Sequence, residues 1–186
     1  MIEKTKFNEQ RTTETATMLL HLKGGRSDFW WIIKMLYLVD REAYLRWERP
    51  ITYDHYRSLP YGPVSMSIYD IMKNKVPSPI WKQYILTLPK RKEVMLNGSP
   101  APIRKLSRAD EEIINDVFTK FGSMSGKELV EYTHTLPEWK DPKKVGKTTP
   151  IELLDLLDAL EYDEEEISRI AAEIAQEEVL DSILGG

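Results

Sequence analysis

The sequence predicts an α+β fold: a mainly helical single domain with a small antiparallel sheet and a C-terminal helical extension. Three observations predict it. Apolar residues recur at spacings of three and four through both ends of the chain. Between residues 51 and 104 that periodicity gives way to short β-branched and aromatic runs separated by Pro and Gly turns. After Ser107 the helical pattern returns behind successive capping signals. The 186 residues are 41% hydrophobic and 30% charged, an ordinary globular composition able to bury a core without disulfides or metals.

Residues 7–23 predict the first helix, with Met18, Leu19 and Leu22 as its apolar stripe and Gly24-Gly25 as its stop. Residues 28–47 predict a second, entered through Ser27 or Asp28 as cap. Arg49-Pro50 ends it. A strand is expected within 51–59, then a turn at Pro60-Tyr61-Gly62-Pro63, where Pro fixes φ and Gly accepts positive φ. A helix over 64–73 follows, with Pro63 at its first position. Residues 76–79 predict a loop, and 84–88 and 93–96 short strands. Asn97-Gly98 signals a hairpin with 101–104 as the return strand, so that the strands near 52–59, 85–88, 93–96 and 102–104 form one antiparallel sheet. Ser107…Asp110 and Ser125…Glu128 each fit a capping box. Thr149-Pro150-Ile151-Glu152 reads as the start of another helix, apolar on most sides, which must pack on the core. Asp163 caps a last helix reaching about Leu184. The Lys- and Gly-bearing segment 141–149 looks like a linker. It divides the chain into a domain over 1–141 and an acidic helical extension over 142–186.

Composition narrows the chemistry. The chain has no cysteine, which removes thiolate catalysis, Cys-ligated metals and disulfides. His21, His55 and His134 are its imidazoles. None stands in H-E-x-x-H spacing, no G-x-S-x-G elbow occurs, and no glycine loop is shaped to cradle phosphate. Asp54 and His55, adjacent in an expected strand, should point to opposite faces. No catalytic residue, metal or cofactor is therefore assigned. The N-terminus lacks the apolar core of a signal peptide, and no apolar run is long enough for a membrane span, so the expected compartment is the cytoplasm. Lys90-Arg91-Lys92 is a basic run, but a pI near 5.5 argues against DNA binding. Charge is segregated: from Pro150 onward there are twelve acidic residues and one basic, Arg169, against 25 basic and 18 acidic before it. Such an arm can cover a basic body or engage a basic partner.

One set of polar residues has no obvious place in a plain core. Lys34, Tyr37, Asp40 and Arg41 fall at spacings of three and four on the second helix. The strand and turn after it supply Asp54, Tyr56 and Tyr61. Together these make a candidate partner-binding face, centred on Tyr37, Arg41, Tyr56 and Tyr61, with Gly62 and Pro63 shaping the turn. Tyrosine suits such a face because it offers large area at low entropic cost. The alternative is an internal network with satisfied hydroxyls. His134 and Trp139 are read as structural.

The order of these residues resembles the Panacea, or SocA-like antitoxin, domain of bacteria and phages. The resemblance rests on Lys34-Met35-Leu36-Tyr37-Leu38-Val39-Asp40-Arg41, Arg49-Pro50-Ile51-Thr52, Leu59-Pro60-Tyr61-Gly62-Pro63-Val64, Thr133-His134 and Pro137-Glu138-Trp139. It covers about residues 15–141. The resemblance implies a protein-binding, non-catalytic role in a toxin–antitoxin system, with a cognate protein toxin as partner. In the SocA-like branch it implies an adaptor delivering the toxin to a Clp-type protease.

Overall fold

The computed structural model describes residues 6–184. In chain order these form α1 (Glu9–Lys23), β1 (Arg26–Asp28), α2 (Phe29–Trp47), β2 (Tyr56–Leu59), β3 (Gly62–Ser65), α3 (Met66–Met72), α4 (Pro79–Tyr84), β4 (Ile85–Leu88), β5 (Glu93–Leu96), α5 (Arg108–Phe121), α6 (Gly126–Thr133), α7 (Pro142–Val145), β6 (Thr149–Ile151), α8 (Leu153–Ala159) and α9 (Glu164–Leu184). The class is α+β and mainly helical, as the periodicity predicts.

The core is built around α2. Every residue from Trp31 to Asp40 is buried, as expected of a helix apolar nearly all round. Its start is fixed by the Asp28 carboxylate, which accepts the Trp31 N–H at 2.9 Å. Helices α1, α5 and α6 pack against it. The buried face of α1 is unusually polar, with Thr12, Thr13, Glu14, Thr15 and Thr17 all enclosed. Its longest reach is Glu14, whose carboxylate accepts the backbone N–H groups of Lys105 and Leu106.

The strands form two three-stranded antiparallel sheets, ordered β1-β5-β4 and β3-β2-β6, where the sequence predicts one. Residues 101–104 are not the return strand. Pro100 and Pro102 supply no N–H to a ladder, and the segment is pinned to α1 instead, through Ala101 N–H to Thr17 Oγ1 at 3.1 Å and through Glu14. The hairpin turn lies between β4 and β5, at residues 89–92, which makes Lys90-Arg91-Lys92 its tip. The outer partner of β5 is β1, entered directly from Gly24-Gly25. The strand expected from residue 51 begins at Tyr56, because residues 51–54 are bent around Asp40. Pro63 sits in β3, not at the head of a helix, and α3 starts at Met66. Helix α4 occupies residues not recognised as helical in the sequence.

Both capping boxes, at Ser107/Asp110 and Ser125/Glu128, are present. The helix expected to begin at Thr149 does not: Thr149–Ile151 is β6, paired with β2 in the register Tyr56↔Ile151. Helix α8 follows from Glu152 and buries Leu156 and Leu157. Helix α9, capped by Asp163 through Glu166 N–H, lies along the body. There Ile170 and Ile174 are buried, and Arg169 pairs with Glu48 at 2.7 Å. Among the described residues no helix is long and apolar enough to cross a membrane.

Candidate functional site

Helix α2 carries Lys34, Tyr37, Asp40 and Arg41 on successive turns, and each side chain meets a partner from far along the chain. Asp40 accepts the N–H groups of Ile51 and Thr52 at 2.8 and 2.9 Å with one oxygen. Its other oxygen accepts the Thr52 hydroxyl and the Tyr56 hydroxyl. Burial raises the Asp40 pKa, and these hydrogen bonds oppose the rise. Tyr37 donates to Glu138 at 2.7 Å, and Arg41 forms an ion pair with the same oxygen at 2.8 Å. Burial, and then the Glu138 charge, hold the Tyr37 phenol well above its usual range. The Tyr37 and Tyr56 rings meet edge to face, 5.2 Å apart. Asp54 is turned inward as well. It accepts the Ser67 and Ile68 N–H groups and so caps α3, whose own Ser65 makes no side-chain cap.

The β2–β3 turn is held from three directions. Trp139 Nε1 donates to Leu59 O at 2.9 Å, His134 Nε2 lies 3.1 Å from Pro60 O, and Lys34 Nζ donates to Pro63 O at 2.6 Å. A carbonyl can only accept, so the His134 proton sits on Nε2. Its ring stacks on Trp139 at 4.2 Å. Burial pushes the His134 pKa down, which favours this neutral form. Lys34 is enclosed, and desolvation lowers its pKa to about 7. Gly62 lies at φ +95°, and a Cβ there would stand 2.7 Å from Thr133 Oγ1 and 3.0 Å from Lys34 Nζ. The turn thereby presents Tyr61 outward, 56% exposed and 4.9 Å from the Trp30 ring.

Of the residues singled out as a partner face, Lys34, Tyr37, Asp40, Asp54 and Tyr56 are below the surface. Arg41 is partly exposed, and Tyr61 is open. The helical spacing thus marks a ridge beneath the turn, and the exposed part of the site is Tyr61, lying against the half-buried Trp30 ring. Glu138 was missed. Its signal was a charged residue between Pro137 and Trp139 in an apolar context, with no hint that it would close over Tyr37 and Arg41. The opposition expected of Asp54 and His55 also fails. Residues 53–55 are not a strand, and the His55 Nδ1 lies 3.3 Å from Asp54 Oδ1. A separate cavity of about 220 Å³ is lined by Phe7, His55, Ser67 and Val76 among others. Among the described residues no cluster of three or more His, Asp or Glu side chains is placed to hold a metal.

The Lys34-Tyr37-Asp40-Arg41 ridge, the Gly62 turn and the His134–Trp139 brace all fall inside one matched segment. A family model described as antitoxin SocA-like, Panacea domain, matches residues 32–140. The chain belongs to that family. No curated protein matches the chain, and no solved structure does.

Proposed function

We propose that the protein is an antitoxin that neutralises a cognate protein toxin by binding it directly, and that its role is binding rather than catalysis. The family match over residues 32–140 carries the reading. The geometry supports it, because buried hydrogen bonds brace the turn that presents the exposed Tyr61 ring against the half-buried Trp30. A preformed aromatic surface loses little entropy on association and is typical of interface anchors. The buried members Lys34, Tyr37, Asp40, Asp54 and Tyr56 act by holding that surface, and Arg41 and Tyr61 lie where a partner can reach them.

The test is co-expression with the product of the neighbouring gene, scored for growth and for co-purification. Neutralisation with a stable complex is expected. Tyr61→Ala is expected to weaken binding by about tenfold or more, with thermal unfolding unchanged. Growth rescue that needs a Clp-type protease, with the toxin disappearing from the cell, would replace blockade by delivery. No rescue and no complex would remove the antitoxin reading.

A further inference from the structure

We propose that the cavity enclosed by the start of α1, by α3 and by the loop before α4 is a binding site for a small organic cation, a short apolar stem ending in a guanidinium or ammonium group. The cavity measures about 220 Å³. A cavity of ~150 Å³ lined by Leu, Ile and Phe is enough for benzene, so this one admits a group the size of a long side chain and is too small for larger ligands. Its walls are preformed. At the head of α1, the Asn8 N–H donates to Thr52 O at 2.9 Å. The Asp54 carboxylate holds the head of α3 by accepting the Ser67 and Ile68 N–H groups. Glu9 Oε1 holds the head of α4, accepting the Ile80 and Trp81 N–H groups at 2.9 Å each.

The lining selects the charge of the occupant. Phe7, Ile71 and Val76 give an apolar wall. The polar lining residues are Glu9, His55, Ser67 and Asp70, and no Lys or Arg joins them among the described residues. Their capacity to accept hydrogen bonds is not used up inside the protein. Glu9 Oε2 and Ser67 Oγ take part in no hydrogen bond among the described residues. Asp70 meets Lys75 only at 3.7 Å, in a partly solvated contact. His55 Nδ1 lies 3.3 Å from Asp54 Oδ1. With its proton held there, the neutral imidazole leaves Nε2 as an acceptor. Acceptors beside an aromatic ring and aliphatic carbons suit a cation on an apolar stem. A carboxylate or phosphate would meet two carboxylates and no lining cation. A free small molecule and the tip of a partner's Lys or Arg share this chemistry.

The test titrates the full chain with butylguanidinium and reads backbone amide shifts by NMR, with butyrate and butanol as controls of similar stem. Butylguanidinium should move the amides of His55, Ser67 and Asp70 in a saturable way, and the controls should not. Asp70→Asn should weaken that response by about tenfold or more. Its thermal unfolding should match the wild type, because the Lys75 contact is partly solvated and worth little. If Asp70→Asn unfolds early, Ser67→Leu serves instead: it fills the cavity and should abolish the response. No response in the wild type, an equal response to butanol or butyrate, or a wild-type response in the folded variant overturns the proposal. A competition arm separates the two sources, and that arm alone rests on the antitoxin reading. A neighbour-encoded toxin that displaces butylguanidinium assigns the cation to the partner's side chain, and one that binds and leaves the probe in place assigns it to a free molecule. If no toxin binds, the antitoxin reading falls, and the probe titration decides the cavity by itself.

Discussion

Lys34 places a cation where water does not reach, and the consequence is a pH dependence with a definite sign. In the unfolded chain the amine keeps its proton to about 10.5, and in the folded protein only to about 7. Below about 7 the cost of enclosing the charge is present in full. Between the two values the unfolded chain binds more protons, so stability rises with pH, by on the order of 1 kcal/mol per unit. Above about 10 the buried phenols of Tyr37, Tyr44 and Tyr56, whose pKa values are raised by burial, reverse the trend. Thermal unfolding between pH 7 and 9 should therefore show a rising midpoint in the wild type and a flatter one in Lys34→Met. Equal slopes would mean that the amine is solvated. Gly62→Val is expected to cost at least ~1 kcal/mol, because it adds a strained φ and a clash with Thr133 Oγ1. Urea titration measures this, and a neutral result would show that the turn rearranges freely. Glu138→Ala should cost about 3 kcal/mol, since it strands the Arg41 guanidinium and the Tyr37 hydroxyl. The spacing of Lys34, Tyr37, Asp40 and Arg41 was legible in the sequence, but their direction was not. Charged residues at helical spacing read as a solvated face unless the partners that neutralise them are visible. Glu138 lies 97 residues from Arg41, beyond any local pattern.

At the scale of the element, long helices with caps and the strands β4 and β5 were readable, whereas β1, β3 and β6 were not. Residues 107–110 and 125–128 announce their helices because a capping box is a local contract between side chain and backbone. A strand of three or four residues depends on a neighbour to pair with, and β1 and β6 have theirs at β5 and β2. Thr149-Pro150 has the composition of a helix start, yet the open edge of β2 captures it first. Helix α9 shows the same ranking of forces. Its Arg169 pair with Glu48 is solvent-exposed and worth little, while Ile170 and Ile174 are enclosed. Arg169→Ala should therefore shift stability by less than about 1 kcal/mol, and Ile170→Ala by about 2–4 kcal/mol. Limited proteolysis between α8 and α9 reports the difference. Faster cleavage in Arg169→Ala than in Ile170→Ala would show that charge, not burial, seats the helix.

For the whole molecule, the charge asymmetry and the composition shift at residue 141 suggest two parts, but the packing crosses that point twice. β6 completes the sheet begun by β2, and α9 lies on the end of α2 near Tyr44 and Glu48. Tryptophan fluorescence, which reports residues 30–139, and far-UV dichroism, to which α9 contributes 21 helical residues, are expected to change together in urea. Two separated transitions would support the division at residue 141. The late arrival of β6 also has a consequence in time. A chain made from its N-terminus releases residue 59 long before residue 151. At about 5–20 residues per second, the edge of β2 stands without its neighbour for roughly 5–20 s on every ribosome. During that interval the nascent chain carries an open strand edge that another chain can occupy. Slowing translation before Thr149 should lower the soluble yield, and a chaperone that shields strand edges should recover it.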